Sequence, residues 1–103
     1  MRVFMVKHIV MWKIKEQYNG MTKEESCKKI KNDLEALKAI IPSISKIEVG
    51  INILKSDASY DLVLYSEFLS QKELTVYQNH EAHKKIATFI GEVSVSRIVV
   101  DYI

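Results

Sequence analysis

The spacing of apolar side chains predicts that the chain begins with a strand followed by a helix. Residues 3–15 are apolar at both odd and even positions, which is typical of a strand buried on both faces. Thr22 and Glu25 form a capping-box pattern, and apolar residues then recur every three or four positions, which predicts a helix over about 22–40. Pro42 ends this helix, because the residue before a proline avoids helical backbone angles.

The middle of the chain predicts two strands. Apolar residues occupy every second position of 47–53, which indicates a half-buried strand. A polar turn follows at 55–59, and residues 60–68 then predict a third strand. We expect these two strands to pair as a hairpin.

Two helical segments come next in the sequence. A second capping-box pattern begins a short helix at Ser70, and this helix should reach about Tyr77. Asn79 or His80 can cap another helical segment, whose apolar stripe ends at Gly91. The second helix of the chain is therefore expected to be broken near Asn79.

The order of these elements predicts the fold class. Residues 93–103 are rich in β-branched side chains and complete a βαββαβ order. This order is typical of an α+β, ferredoxin-like fold, in which a four-stranded antiparallel sheet carries both helices on one face. The first and last strands are apolar on both parities, so a monomer would expose an apolar sheet face to water. We therefore expect a homodimer with two sheets packed face to face, a dimeric α+β barrel.

Composition narrows the function classes. The 103 residues carry 15 Lys and Arg against 13 Asp and Glu, and 48% are apolar, as in an ordinary soluble domain. The basic cluster at 28–31 is interleaved with acidic residues, which argues against a nucleic-acid partner. No stretch approaches the roughly 20 apolar residues of a membrane span. We expect one cytoplasmic domain over residues 1–103, with no disulfide framework because there is a single Cys.

Two of the three histidines lie at positions that suggest chemistry. His8 interrupts the apolar row of the first strand, and His83 lies within an apolar helical stripe, so both side chains should point to the core. An imidazole held there can act as a general base near neutral pH. The alternative is that both are structural histidines whose nitrogens bond to the backbone or to a hydroxyl.

Two further residues can assist such a base. If the helix is broken near Asn79, Tyr77 can lie beside His83 and donate a hydrogen bond to a carbonyl while the imidazole takes an adjacent proton. Asp101 can orient an imidazole nitrogen, as in an Asp and His pair. The alternative for Asp101 is an exposed position or a salt bridge with Arg97.

A metal or cofactor site is not expected. His80 and His83 are three residues apart, but two ligands do not make a zinc site, and a third from His8 or Asp101 would require proximity that the sequence does not show. Cys27 lies in the buried stripe of the first helix, where a thiol behaves as a small apolar group. Trp12 is more typical of a core or a pocket wall than of a cofactor contact.

Four segments together suggest a family. They are VKHIVMWKIK at the start, LKAIIPSI followed by KIEVGINI, YQNHEAH, and the closing VVDYI. In this combination and order the chain resembles the stress-responsive A/B barrel family, also called Dabb domains. The resemblance implies a ferredoxin-like unit that pairs its sheet with that of a second copy, with a pocket between sheet and helices.

The resemblance also implies roles for particular residues. Many members have no assigned activity, some plant members are associated with stress responses, and one relative is a cofactor-free polyketide cyclase that closes a ring by aldol condensation. Its catalytic tyrosine and histidine, in a Y-x-x-H-P-A-H segment, match Tyr77 and His83, and the aspartate that supports the histidine matches Asp101. The family's proline in this segment is replaced by Glu81 in this chain. The expected pocket walls are His8, Val10, Trp12, Leu64 and Val99.

We therefore expect a homodimer that binds a small apolar or carbonyl-bearing molecule, with its activity unassigned. One alternative is a cofactor-free cyclase or lyase in which His83 is the base, Tyr77 the hydrogen-bond donor and Asp101 the group that orients His83. A second is a non-catalytic structural or stress-response module. A third is cofactor-assisted monooxygenase chemistry, which would require haem or another coloured group.

Overall fold

The computed structural model describes residues 4–103, and these form a short hairpin, a four-stranded sheet and three α-helices. The predicted start of the first strand at Val3 lies outside the described residues. The elements in chain order are β1 (Val6–Ile14), β2 (Gln17–Tyr18), β3 (Met21–Thr22), α1 (Lys23–Ala36), β4 (Lys46–Ile51), β5 (Leu62–Phe68), α2 (Gln71–Asn79), α3 (Glu81–Val93) and β6 (Ser94–Tyr102).

The main sheet has the strand order β4-β5-β1-β6, and all its neighbouring strands are antiparallel. The strand β1 is central, with β5 on one side and β6 on the other. The predicted ferredoxin-like α+β fold is confirmed, and the predicted hairpin between the second and third strands corresponds to β4 and β5.

Local hydrogen bonds at the helix starts follow the sequence patterns. The Thr22 hydroxyl accepts from the Glu25 amide at 3.2 Å, and the Glu25 carboxylate accepts from the Thr22 amide at 2.9 Å, so the predicted capping box is confirmed. The Ser70 hydroxyl accepts from the Glu73 amide at 3.3 Å at the start of α2. These bonds satisfy amide groups that a helix leaves unpaired in its first turn.

The predicted break in the second helix is confirmed at His80. This residue has extended backbone angles between α2 and α3, and its Nδ1 accepts from the Ala82 amide at 3.0 Å. The predicted end of the following helix at Gly91 is wrong, because α3 continues to Val93. Val93 is completely buried, so packing of the last turn outweighs the low helical propensity of glycine.

One element is absent from the sequence-based prediction. The strands β2 and β3 form a hairpin across Asn19 and Gly20, whose φ values are 47° and 82°. Two consecutive residues with positive φ make the tight turn that matches strand twist, and Asn-Gly is its preferred sequence. The signal was therefore present in the sequence.

The two faces of the sheet differ in their cover. Alternate residues of β1 are buried on the face that carries the helices, namely Val6, His8, Val10, Trp12 and Ile14. The opposite face carries apolar side chains with large exposed fractions, which are 36% for Met11, 46% for Ile98 and 59% for Val100. The register places Met11 opposite Ile98 and Ile9 opposite Val100, so these residues form one continuous apolar surface, hereafter the helix-free face.

Replacement of two glycines by alanine should change stability in opposite directions. We expect Gly20→Ala to lower the free energy of unfolding by about 1 kcal/mol, because its φ of +82° is strained for a residue with a Cβ. We expect Gly91→Ala to raise it by about 0.5 kcal/mol, because Gly91 lies inside α3 and a Cβ there meets no atom within 4 Å. Urea denaturation of both variants measures this, and a loss of stability in Gly91→Ala would contradict the interpretation.

Candidate functional site

A cavity of about 120 Å³ lies between the sheet and the helices. Its inner wall is apolar and is formed by side chains from β1, β5, α1 and α3, namely Val10, Trp12, Leu34, Leu64 and Ile90. Three polar rings, those of His8, Tyr77 and His83, also line it. The cavity therefore combines an apolar interior with a small set of hydrogen-bonding groups, which is typical of a small-molecule site.

Tyr77 is the most deeply buried of the three rings, with an exposed fraction of 0%. It lies on the buried side of α2 with Leu74 and packs on Phe68, whose ring centroid is 5.1 Å away. Its hydroxyl finds no hydrogen-bond partner anywhere in the described part of the chain. Burial raises the pKa of Tyr77 above its usual value, so the hydroxyl keeps its proton and is available as a donor.

His83 packs against the ring of Tyr77, and the two ring centroids are 4.4 Å apart. It belongs to the first turn of α3, and its Nδ1 is 3.2 Å from the Gln78 carbonyl oxygen. Burial lowers the pKa of His83 below its usual value, against the opposing effect of the Gln78 carbonyl. In the neutral imidazole Nδ1–H donates to that carbonyl, which leaves Nε2 with a free lone pair.

His8 reaches the same cavity from the sheet. It is only 3% exposed, and its ring centroid is 6.5 Å from that of Tyr77. Its Nδ1 is 2.5 Å from a carboxylate oxygen of Asp101. The backbone register explains this pair, because His8 and Asp101 are directly opposite each other on neighbouring antiparallel strands.

The pairing of Asp101 differs from the expected one. Asp101 was expected to orient His83 or to pair with Arg97, whereas its carboxylate bonds to His8 and the Gln78 carbonyl bonds to His83. Both histidines nevertheless line one cavity, a convergence that the sequence could not show. Asp101 does not line this cavity and contacts the site through His8. It lines a neighbouring surface depression at the end of β6.

Four of the five residues expected to line the pocket do line the cavity. His8, Val10, Trp12 and Leu64 line it. Val99, on the edge strand β6, does not line it and is 37% exposed. Six further lining residues, contributed by α1, α3 and the start and middle of β6, were not predicted from the sequence; they are Leu34, Ala87, Ile90, Gly91, Ser94 and Arg97.

Within residues 4–103 no group of three or more His, Cys, Asp or Glu side chains is placed to hold a metal ion. His80 caps α3 with its Nδ1. Burial raises the pKa of the Cys27 thiol to about 11, so it is an inert core group. Over the same residues no helix is long and apolar enough to cross a membrane.

Comparison with protein families gives one match over nearly the whole chain. A sequence model of the family described as "Stress responsive A/B Barrel Domain" (Dabb) matches residues 6–103. No match was found among curated proteins.

Several solved structures share the fold. A dimeric protein of unknown function with a ferredoxin-like fold from Bacteroides fragilis is 36% identical, with a TM-score of 0.80 over 95% of this chain and 94% of that one. A Dabb family protein from Mesorhizobium loti is 18% identical, with a TM-score of 0.70 over 96% and 95%. The hydroxynitrile lyase of Passiflora edulis is also 18% identical, with a TM-score of 0.80 over 95% and 91%. The last two similarities show the fold alone.

Removal of the Tyr77 hydroxyl should stabilise the protein in the absence of ligand. We expect Tyr77→Phe to raise the free energy of unfolding by about 1 kcal/mol, because a buried hydroxyl without a partner is costly. The matched control is Tyr18→Phe. The Tyr18 hydroxyl donates to Glu92 at 3.0 Å, so its removal should not raise the free energy of unfolding. Chemical denaturation measures both, and a less stable Tyr77→Phe would show that the hydroxyl has a polar partner.

Proposed function

The chain belongs to the stress-responsive A/B barrel (Dabb) family, and on that premise we propose a homodimer whose cavity binds a small carbonyl-bearing molecule. We further propose that His83 removes a proton from the carbon next to that carbonyl, while Tyr77 donates a hydrogen bond to the carbonyl oxygen. The carbonyl-activating pair is therefore Tyr77 and His83, and no cofactor takes part in this step.

The observation that carries the proposal is that the Tyr77 hydroxyl has no hydrogen-bond partner among the described residues, while the Tyr77 ring packs against the His83 imidazole and both residues line one cavity. A carbonyl oxygen in the cavity would accept the hydrogen bond that the protein leaves unmade, and this would recover the cost of burying the hydroxyl. The apolar side chains around it exclude water, which strengthens such a bond.

The proposed reaction begins with one proton transfer. Nε2 of neutral His83 takes the proton, the electron pair of the C–H bond forms a C=C bond, and the carbonyl becomes an enolate oxygen. The Tyr77 hydroxyl stabilises this oxygen by donation, and its raised pKa keeps the proton on the phenol. The enolate carbon then either takes the proton back from the imidazolium, or attacks a second carbonyl to form an alkoxide that takes this proton. Either route returns His83 to its neutral form.

The cavity limits the size of the molecule. This cavity, at about 120 Å³, is smaller than the roughly 150 Å³ that can hold benzene, so it can enclose a short acyl chain or most of a single ring. A larger substrate would have to extend through the mouth of the cavity. The hydroxynitrile lyase of Passiflora edulis has the same fold, so this fold can carry out lyase chemistry.

A second candidate function is ligand binding without catalysis. Each of the two cavity histidines already has a hydrogen-bond partner at Nδ1, Asp101 for His8 and the Gln78 carbonyl for His83. Such bonds are also typical of histidines that only hold a structure together. The proton-exchange experiment below separates the two candidates.

The proposed homodimer follows from the helix-free face. Its apolar side chains lie on the central strand β1 and the edge strand β6 and would be covered by the same face of a second copy. The Bacteroides fragilis protein, which is 36% identical, is described as dimeric. This supports the same assembly for the present chain.

An acidic residue on the helix-free face should prevent dimerisation. We expect wild type to sediment at micromolar concentration with twice the 11.9 kDa mass of one chain and Val100→Asp to sediment as a monomer, because a carboxylate at the interface would lose its hydration. The control is Val76→Asp, the same substitution at an exposed position of the helix layer. A wild-type monomer, or a Val100→Asp dimer, would refute this assembly.

Proton abstraction can be measured without knowledge of the natural substrate. We expect the protein to accelerate exchange of the methyl protons of acetophenone, or the methylene protons of methyl acetoacetate, in D2O without added haem or flavin. His83→Ala and Tyr77→Phe should each slow the catalysed exchange by at least about 100-fold. The rate should fall as the pH drops below about 6.5, through the lowered pKa of His83, because only the neutral imidazole accepts a proton.

The control for this experiment is another histidine. His80→Asn keeps a side chain that can cap α3, and His80 does not line the cavity, so exchange should be unchanged. If both probes bind but exchange at the uncatalysed rate, the catalytic proposal fails and the binding function remains. Circular dichroism of each variant verifies that the fold is intact.

A further inference from the structure

We infer that the molecule bound in this cavity carries a carboxylate group, which Arg97 receives at the cavity mouth. This inference rests on the proposed function and specifies its substrate class as small carboxylic acids with an apolar body. Its subject is Arg97, a residue of the edge strand β6 that lines the cavity.

Arg97 lines the cavity and is also exposed to solvent. Its Cα is paired across the sheet with that of Trp12, so both side chains lie on the face that carries the helices. Trp12 is 4% exposed, whereas Arg97 is exposed. The two small residues of α3 that line the cavity, Ala87 and Gly91, are exposed as well. This side of the cavity is therefore its mouth, where Arg97 and two α3 residues with small side chains are exposed to solvent.

Arg97 has no acidic partner among residues 4–103. None of the ion pairs formed among residues 4–103 includes Arg97, and no acidic side chain from that range lines the cavity. The two carboxylates closest to it in sequence on β6 and α3 have other partners. Asp101 bonds to His8, and Glu92 accepts from Tyr18. A guanidinium without an acidic partner at a cavity mouth is suited to bind a carboxylate through two parallel hydrogen bonds.

The arrangement orients such a ligand. A carboxylate at Arg97 places the apolar part of the molecule against the inner wall and its reactive carbonyl toward Tyr77 and His83. The positive charge of Arg97 also contributes to the lowered pKa of His83. A bound carboxylate would neutralise that charge, so the pKa of His83 should rise when an acid binds but not when a neutral molecule of the same shape does.

The test uses pairs of probes that differ only in charge. Benzoate is compared with benzamide, and hexanoate with hexanamide, by NMR titration of the histidine ring resonances of the full chain. In wild type we expect each acid to bind about tenfold more tightly than its amide, because a hydrogen bond to a charged group is stronger than one to a neutral group. This preference should weaken at high salt, since Arg97 is exposed.

Three variants identify the source of the preference. Arg97→Gln should reduce it to less than about twofold, and Arg97→Lys should retain part of it, because lysine keeps the charge but lacks the planar fork. Lys85→Gln is the matched control, since it removes one positive charge from an exposed position of α3 outside the cavity lining. It should preserve the full preference.

Each outcome has a distinct meaning. If acid and amide bind equally in wild type, or if Arg97→Gln keeps the preference, the carboxylate inference is overturned while the proposed binding function stands. If no probe shifts the resonances of His8 and His83, the proposed binding function fails and the inference fails with it. An acid preference that Arg97→Gln and not Lys85→Gln abolishes, together with an acid-specific rise in the pKa of His83, supports the inference.

Discussion

The central position of β1, hydrogen-bonded on both edges, determines the rest of the structure. Its register against β5 and β6 assigns every second side chain to the helix-covered face, where His8, Val10 and Trp12 form one wall of the cavity. The same register brings Asp101 opposite His8. A shift of one residue would exchange the two faces of β1, so the cavity and the helix-free face depend on the same set of backbone hydrogen bonds.

The site keeps several features that a protein selected only for stability would lack. The buried Tyr77 hydroxyl has no partner, the half-buried His83 imidazole has a lowered pKa, and a glycine lies inside α3; each of these either costs free energy of folding or forgoes a stabilising interaction. All three lie on one cavity. Local rules of folding are most often broken where a site needs particular groups, so their coincidence supports a functional interpretation more strongly than any one of them.

Much of the fold could be predicted because its signals are local. The capping box at Thr22, the alternation in β4 and β5 and the break at His80 each depend on residues close together in sequence. The Asn19-Gly20 turn has a local signal as well, and it was simply missed. The end of α3 was wrong for a different reason, since burial of Val93 is a tertiary effect that local propensity does not contain.

The site was harder to predict because it depends on register between distant strands. Parity correctly placed Asp101 and Arg97 on one face of β6, but two histidines were possible partners for the carboxylate. Only the alignment of β6 with β1 shows that His8 is the residue opposite Asp101. The parity that Arg97 shares with Val99 already indicated the side of the sheet on which the cavity lies, but the sequence does not show that Arg97 reaches the cavity.

The sheet separates the proposed assembly from the proposed chemistry. Even-numbered residues of β1 face the cavity side, and odd-numbered residues such as Ile9 and Met11 belong to the helix-free face. Neighbouring residues of β6 alternate between the two faces in the same way. Asp101 bonds to His8 on the helix-covered face. The ring of Tyr102 lies on the other face, with its centroid 5.4 Å from Nζ of Lys7. Any contact that fixes β6 from the helix-free side therefore also fixes the carboxylate that holds His8. Dimerisation through the helix-free face would thus also restrain the position of Asp101.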